Sequence, residues 1–256
     1  DRGVYQDAAV QFTAADKSWL QIDHADQSGL VPGTDDFLIC GWFYFDSLPA
    51  SYIMLVQKGG TSTGGGYYLY ARNTGKLRVE VYDGVGAGVP VESSTAPLTT
   101  GSWHFIAAYA DRDGNVTGYV AETPVLSASI AGVAGNITTG TAPFAAGAFN
   151  TGIYYHDGRI DSLMFFKAAD LSAVADDILT WAYNGGSGRL CSEITAAQKT
   201  AWGAVSGWDL GEASGQRYDS WGSNHLDQQF GEILTNGGFE DYTGTLDDGQ
   251  TDSFTD

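Results

Sequence analysis

The sequence has few basic residues. Its 12 Lys and Arg residues face 31 Asp and Glu residues, which gives a net charge of −19. A surface of that sign repels polyanions, so nucleic acid is excluded as the main partner and binding to an acidic membrane surface is disfavoured. The acidic residues are spread along the chain, a distribution that serves solubility.

Cysteine is also scarce. Cys40 and Cys191 are the only two, so the chain is not a disulfide-rich scaffold. One disulfide bridge and two buried free thiols both fit this count, and neither fixes the redox compartment.

Long apolar runs are missing. No run reaches the length of a membrane span, and the first residues lack a basic region followed by an apolar core. We therefore expect no membrane insertion. With 43% hydrophobic residues, the 256-residue chain can fill the core of one large all-β domain or of two smaller ones.

Common catalytic motifs are missing as well. There is no Gly-x-Ser-x-Gly elbow for a serine hydrolase, and no close His pair or Cys-x-x-Cys for zinc. The histidines stand in unrelated contexts, at His24, His104, His156 and His225. The sequence therefore favours a protein that is not an enzyme.

What the chain does contain is a series of short apolar segments separated by turn residues. Segments of this length without intervening helices predict antiparallel strands. Asp113-Gly114 suits the tight turn of a hairpin, and both faces of 37–45 are apolar, which places that strand inside a sandwich. The predicted strands are 9–12, 19–22, 37–45, 53–58, 67–72, 77–82, 103–110 and 116–121.

The segment 153–188 combines a strand, a helix and a stop. Residues 159–167 alternate in the strand period. Ser172 is predicted to cap a helix that runs to Tyr183, and Asn184-Gly185-Gly186 ends it in the left-handed conformation that glycine accepts at low cost. Thr195 and Gln198 form a capping-box pattern that opens a second short helix through Trp202.

The segments WLQI at 19–22, FLICGWFYF at 37–45, WHFIAAYADRDGNVTGYV at 103–120 and the strand-helix-NGG pattern resemble, in this order, LamG-like domains of the concanavalin A-like lectin/glucanase superfamily. The resemblance implies an all-β fold, an antiparallel two-sheet jelly-roll β-sandwich with one or two short C-terminal helices. Such domains occur in bacterial and phage surface proteins, which implies an extracellular, cell-surface or virion location.

The domain prediction follows from the resemblance. A LamG-like jelly roll is expected over 1–233, with its core at 5–188 and with 190–233 packing back as a helix and an edge strand. Residues 208–230 either complete this domain or pair with a neighbouring chain in a homo-oligomer. Residues 234–256 are expected to be a linker or the start of a further carbohydrate-binding module, with an acidic disordered tail as the alternative for 241–256.

Glucanases of this superfamily carry two glutamates on one strand with an aspartate between them, since acid and nucleophile must flank the scissile bond. No Glu-x-Asp-x-Glu strand is present. The resemblance thus implies a noncatalytic carbohydrate-binding module, with a structural or adhesive protein as the alternative and a glycan hydrolase third.

Two sets of binding residues are expected. By the resemblance, Asp161 holds a structural Ca²⁺ with Asp16 as a neighbour, although a hydrogen-bonded strand aspartate is an equal alternative. A glycan needs flat aromatic faces with polar groups beside them. We predict this surface from residues on adjacent strands and in the loop before the last core strand, with core packing as the alternative for each aromatic: Tyr68, Tyr70, Arg72, Tyr82, Tyr154, Tyr155 and His156.

Overall fold

The computed structural model describes residues 9–48, 52–59, 65–85, 88–149 and 152–230. The elements of these residues are fourteen strands and two α-helices, with short 3₁₀ turns between some of them. The strands are β1 Val10–Phe12, β2 Ser18–Ile22, β3 Asp36–Phe45, β4 Tyr52–Gly59, β5 Gly66–Arg72, β6 Leu77–Tyr82, β7 Val89–Glu92, β8 Trp103–Ala110, β9 Asn115–Val120, β10 Thr123–Ser129, β11 Phe144–Ala146, β12 Gly158–Ala168, β13 Ala204–Trp208 and β14 Asp227–Phe230. The helices are α1 Ala175–Tyr183 and α2 Ala196–Ala201.

The strands form two antiparallel sheets. The first sheet has the order β1-β12-β3-β8-β9-β10, and β13 pairs with β12 farther along the edge that β1 occupies. The second sheet has the order β14-β2-β11-β4-β5-β6-β7. The predicted fold class, a two-sheet sandwich with short helices near the end, is confirmed.

A continuous hydrophobic core lies between the two sheets. Phe43 and Phe45 enter it from the first sheet, and Tyr67 and Leu69 from the second. The intervening residues of β3 and β5 point to the two outer faces, because successive side chains of a strand alternate. The outer faces are therefore where the sandwich can meet other groups.

The outer face of the first sheet carries a second apolar layer. Leu38, Cys40 and Trp42 of β3 pack there against α1 through Ile178 and Leu179. This explains why 37–45 is apolar on both faces, as the sequence indicates. Burial of a large aliphatic side chain contributes about 1.5–3 kcal/mol, so the helix layer stabilises the sheet that it covers.

The start of α1 differs from the prediction. The helix begins at Ala175, and Val174 occupies the N-cap position without a side-chain cap. Ser172 does not cap it. Ser172 lies in the turn before the helix, where its backbone N–H donates to the Asp170 carboxylate at 2.8 Å. The predicted end is confirmed, since Asn184 has φ of 49°.

The second helix is confirmed together with its cap. The Thr195 hydroxyl accepts the Gln198 N–H at 3.2 Å, and the Gln198 side chain accepts the Thr195 N–H at 3.0 Å. These two bonds satisfy backbone donors that a helix start otherwise leaves open.

Residues after α2 return to the sandwich. β13 pairs with β12 and β14 pairs with β2 of the same chain. Trp208 is fully buried in the central core, and its indole N–H donates to the Asn224 carbonyl at 2.6 Å. The Asn224 side chain in turn bonds the Ser28 backbone at 2.6 and 2.7 Å. Residues 204–230 thus pack onto elements from the early part of the chain.

Of the predicted segments, 1–8 and 231–256 lie outside the described residues. The predicted domain limits at 233 and 234 therefore remain predictions. The two cysteines are buried free thiols. Among the described helices, none has the length and apolar character needed to cross a membrane.

Candidate functional site

Aromatic side chains gather on the outer face of the second sheet. Tyr68 and Tyr70 of β5 point outward and are 4% and 8% exposed. Tyr82 of β6 and Tyr52 of β4 pack beside them. A small cavity of about 180 Å³ opens over these rings. We call it the tyrosine cleft; its walls are Tyr68, Tyr70, Glu80, Tyr82, Phe149, Ile153 and Tyr154.

The rings in the cleft stack in a fixed order. Tyr68 lies parallel to Tyr70 and to Phe149, with centroids 6.0 Å apart in both pairs. Tyr82 meets Tyr68 edge to face at 5.7 Å. Aromatic pairs in such arrangements contribute about 0.5–1.5 kcal/mol beyond their buried area. The floor of the cleft is therefore rigid.

Among the described residues in the walls of the cleft, Glu80 is the single carboxylate. It accepts hydrogen bonds from the Arg78 guanidinium and, at 2.8 Å, from the Tyr82 hydroxyl. Burial and the nearby Glu80 charge raise the pKa of Tyr82 to about 12, and burial raises the pKa of Tyr68 and Tyr70 as well. The phenols therefore stay protonated at physiological pH.

One side of the cleft is closed by Phe149, Ile153 and Tyr154, which lie in the loop region before β12. The Met54 N–H donates to the Tyr154 carbonyl at 2.8 Å and the Phe149 N–H to the Ile153 carbonyl at 2.9 Å. Tyr154 has φ of 58°, a conformation that costs a non-glycine residue roughly 1–3 kcal/mol. Its ring lies 5.6 Å from Tyr52 and is 37% exposed. The loop thus places a half-open tyrosine above a buried aromatic floor.

The structure brings together four of the seven predicted glycan residues, Tyr68, Tyr70, Tyr82 and Tyr154. Arg72 lies beside the cleft, with its guanidinium 4.1 Å from the Tyr52 ring and 3.6 Å from Glu92. The Arg72 guanidinium thus contacts Tyr52 and Glu92, and Arg72 is not among the wall residues of the cleft.

Tyr155 and His156 point away from the cleft. The Tyr155 ring lies 6.2 Å from Trp19 of β2. His156 is fully buried between Phe12 and Phe45 in the interior. Because the His156 side chain has no surface exposed to solvent, it is not part of the predicted glycan-binding surface.

Sequence reasoning missed Glu80, Phe149 and Ile153 as members of the cleft. Glu80 and Tyr82 alternate on β6 directly beside Tyr68 and Tyr70 on β5, because Tyr68 pairs with Glu80 across the strands. That alternation is readable in the sequence LRVEVY. Phe149 and Ile153 reach the cleft through the loop path, which leaves no periodic signal.

The model of the concanavalin A-like lectin/glucanases superfamily matches residues 15–173, more than half of the chain. The chain belongs to the concanavalin A-like lectin/glucanases superfamily. No curated protein matches it in sequence.

One solved structure shows the same fold as this superfamily member, and two others align with it at lower TM-scores. A protein of Bacteroides ovatus, to which carbohydrate binding is provisionally assigned, aligns with a TM-score of 0.57 at 14% identity, over 86% of this chain and 58% of that one. The carbohydrate-binding module of family 40 from Ruminococcus gnavus IT-sialidase, bound to α2,3-sialyllactose, aligns with a TM-score of 0.49 at 16% identity, over 67% and 94%. Mouse laminin α1 domains LG4-5 align with a TM-score of 0.41 at 16% identity, over 58% and 40%. At this identity the likeness is one of fold.

The two residues predicted for calcium lie in different settings of this superfamily fold. Asp161 is buried on β12 and accepts a hydrogen bond from the Ser162 hydroxyl at 2.8 Å. Asp16 is exposed in the turn between β1 and β2, where its N–H donates to Thr13. The described residues contain no group of three or more His, Cys, Asp or Glu side chains of the kind that holds a metal. Calcium stays a prediction.

Proposed function

We propose that the chain is a noncatalytic glycan-binding module and that the tyrosine cleft takes one sugar ring. The observation that carries the proposal is the half-open Tyr154 ring above the stacked Tyr68 and Tyr70, with Glu80 at the same opening. An aromatic face fits the C–H surface of a pyranose, and phenol and carboxylate oxygens fit its hydroxyls.

The cleft is a poor fit to glycoside hydrolysis. That reaction uses two carboxyl groups that face each other across the scissile bond. Glu80 is the single carboxylate among the described residues in the walls. This supports the binding role over the glycanase alternative.

The proposal includes a location outside the cell, on a cell surface or on a virion. The superfamily membership supports recognition at such a surface. The acidic surface, with a net charge of −19, supports partners that are neutral or sparsely charged.

Tyr154→Ala tests the proposal. It removes the exposed aromatic face, and we expect binding to the best ligand of a glycan array to weaken at least roughly tenfold, or about 1.4 kcal/mol. The measurement is calorimetric titration of that ligand into both proteins. Tyr218→Ala is the matched control, because Tyr218 is also an exposed tyrosine, at 57%, but lies outside the cleft.

Equal loss in both variants, or no loss in either, contradicts a site at the cleft. A chain that binds no glycan but forms concentration-dependent oligomers in light scattering supports the adhesive alternative instead. The edge strand β14 at the end of the second sheet is the element that would pair between copies in that case.

A further inference from the structure

A larger groove lies on the opposite side of the sandwich, on the outer face of the first sheet. Its volume is about 490 Å³, and it runs from the end of β3 to the end of α1. We call it the arginine groove. Its principal side chains are Trp42, Tyr44, Trp103, His104, Arg159 and Tyr183.

Strand register builds one wall of the groove. Arg159 of β12 pairs directly with Tyr44 of β3, and Tyr44 pairs directly with Trp103 of β8. The three side chains therefore form a row across adjacent strands. The Arg159 guanidinium carbon lies 4.1 Å from the Tyr44 ring and 5.5 Å from the Trp103 ring, which holds the cation in place against two aromatic faces.

Charge sets this groove apart from the rest of the surface. No Asp or Glu is found among the described residues in its walls. Three other cavities in the described part of the chain all contain carboxylates, namely Asp23, Asp26 and Asp227 in one, Asp36, Asp111, Asp113 and Asp170 in another, and Glu80 in the tyrosine cleft. A wall free of acid is a distinctive feature on a chain with 31 acidic residues.

Arg159 makes no ion pair with a described residue in this setting. The other described arginines that stack on or lie near aromatic rings differ, since Arg72 meets Glu92 at 3.6 Å and Arg78 meets Glu80. The Arg159 Nε is buried and has no hydrogen-bond partner among the described residues. The Nε atoms of Arg72 and Arg189 are also buried without a hydrogen-bond partner, but these two arginines make ion pairs with Glu92 and Glu193. What distinguishes Arg159 from them is that its charge is not paired with a described carboxylate.

His104 adds no competing charge. Its Nε2 lies 3.1 Å from the Thr99 N–H, and burial lowers the pKa of the ring. Arg159 is thus the single cation in the described walls at neutral pH. A guanidinium presents a planar fork that matches a carboxylate in a bidentate pair.

We propose that the arginine groove is a second binding site, which takes a sugar acid of the hexuronic class. The carboxylate would pair with Arg159, and the apolar face of the pyranose would lie on the aromatic wall of Trp103 and Tyr183. The net charge of −19 opposes a densely charged polyanion, so the fitting ligand is a glycan with an isolated carboxylate. This site shares no wall residue with the tyrosine cleft and stands or fails independently of it.

The test compares methyl β-glucuronide with methyl β-glucoside, which differ by a carboxylate in place of a hydroxymethyl group. We expect calorimetry to give glucuronide binding at least roughly tenfold tighter than glucoside binding. Arg159→Gln is expected to remove that preference. Arg159→Lys is expected to keep only part of it, since lysine keeps the charge but lacks the planar fork.

Two controls separate the site from other effects. Arg189→Gln removes a positive charge near the end of α1 without touching the groove walls, and we expect it to leave the preference unchanged. Tyr218→Ala, which changes an exposed tyrosine outside both cavities, is also expected to leave the preference unchanged. Unchanged thermal unfolding midpoints check that each variant is folded, and a shift of the Trp103 indole N–H resonance, assigned with Trp103→Phe, reports the location.

Several results would overturn the proposal. They are equal binding of glucuronide and glucoside by the unaltered protein, a preference that survives Arg159→Gln, and loss of the preference in Arg189→Gln or Tyr218→Ala. Benzoate that competes as well as glucuronide would overturn the assignment to a sugar acid.

Discussion

Tyr154 and His156 stand two residues apart in the loop before β12 and have opposite settings. Tyr154 takes a left-handed backbone and turns its ring outward, while His156 is fully buried between two phenylalanines. The sequence shows three adjacent side chains that suit a sugar, but it does not show the direction in which each one leaves the loop. That direction depends on the bonds of the loop to β4 and to Gly147, which are long-range contacts.

His156 gives the first prediction at this scale. Burial lowers its pKa from 6.5 to about 4. The unfolded chain therefore binds a proton between these values while the folded chain does not, so folding stability contributed by the neutral ring is present above pH 6.5 and is lost as the pH falls toward 4. The loss is on the order of 3 kcal/mol.

The measurement is the free energy of unfolding by urea across this pH range, in the unaltered protein and in His156→Phe. The variant keeps an aromatic ring between Phe12 and Phe45 but cannot be protonated. Carboxylates titrate in both proteins, so the difference between the two curves isolates the histidine. A constant difference from pH 6.5 to 4 would contradict the assignment.

At the scale of elements, the long strands and the helix stop are predictable because their signals are local. The alternation in 159–167, the Asp113-Gly114 turn and the Asn184-Gly185-Gly186 stop each need only neighbouring residues. The structure adds β7, β10 and β11. Strands β7 and β11 are short, and the three strands include exposed or small residues such as Pro90 and Ala145. Such strands form because a neighbouring strand offers them hydrogen bonds, and their own sequence carries little pattern.

The start of α1 has a similar cause. Ser172 is a good cap by residue type, but the helix begins three residues later, at Ala175, and Ser172 lies in a turn in which its N–H donates to the Asp170 carboxylate. Which turn residue precedes the first helical residue depends on the turn geometry, which the sequence pattern does not specify.

Thr195→Ala gives the prediction at this scale. It removes the side-chain acceptor for the Gln198 N–H at the start of α2, and we expect a loss of about 1 kcal/mol in the free energy of unfolding. Thr200→Ala is the control, since Thr200 is exposed on the same helix and its hydroxyl bonds only the Ala196 carbonyl. Equal losses in the two variants would show that the cap contributes nothing specific.

At the scale of the molecule, the order of motifs indicates the superfamily and the sandwich, and the structure agrees. The region that matches the superfamily model ends at residue 173, but residues beyond it also pack into the core of the sandwich. Trp208, Leu210 and Leu226 belong to the same central core as Phe12 and Leu20. From the sequence, this segment could equally complete its own domain or pair with a neighbouring chain, because an edge strand can pair with any sheet edge that is available to it.

Calcium binding is the prediction at this scale. An ion that binds the folded chain and not the unfolded one raises the melting temperature. We expect calcium chloride to raise it above the value in magnesium chloride of equal ionic strength, since both salts screen the net charge of −19 equally. Scanning calorimetry measures this, and Asp161→Asn is expected to remove the difference. Identical melting temperatures in the two salts would refute the calcium site.

The pairing of β14 with β2 also constrains how the chain folds while it is being synthesised. Asp227 lies opposite Gln21, so a growing polypeptide has made nearly all of its strands before the last one can dock. Until residues 204–230 leave the ribosome, the outward edge of β2 and part of the edge of β12 have no partner, and the nascent chain must be kept from pairing with its neighbours during that interval. The pairing of β14 with β2 therefore cannot form before this segment has been translated.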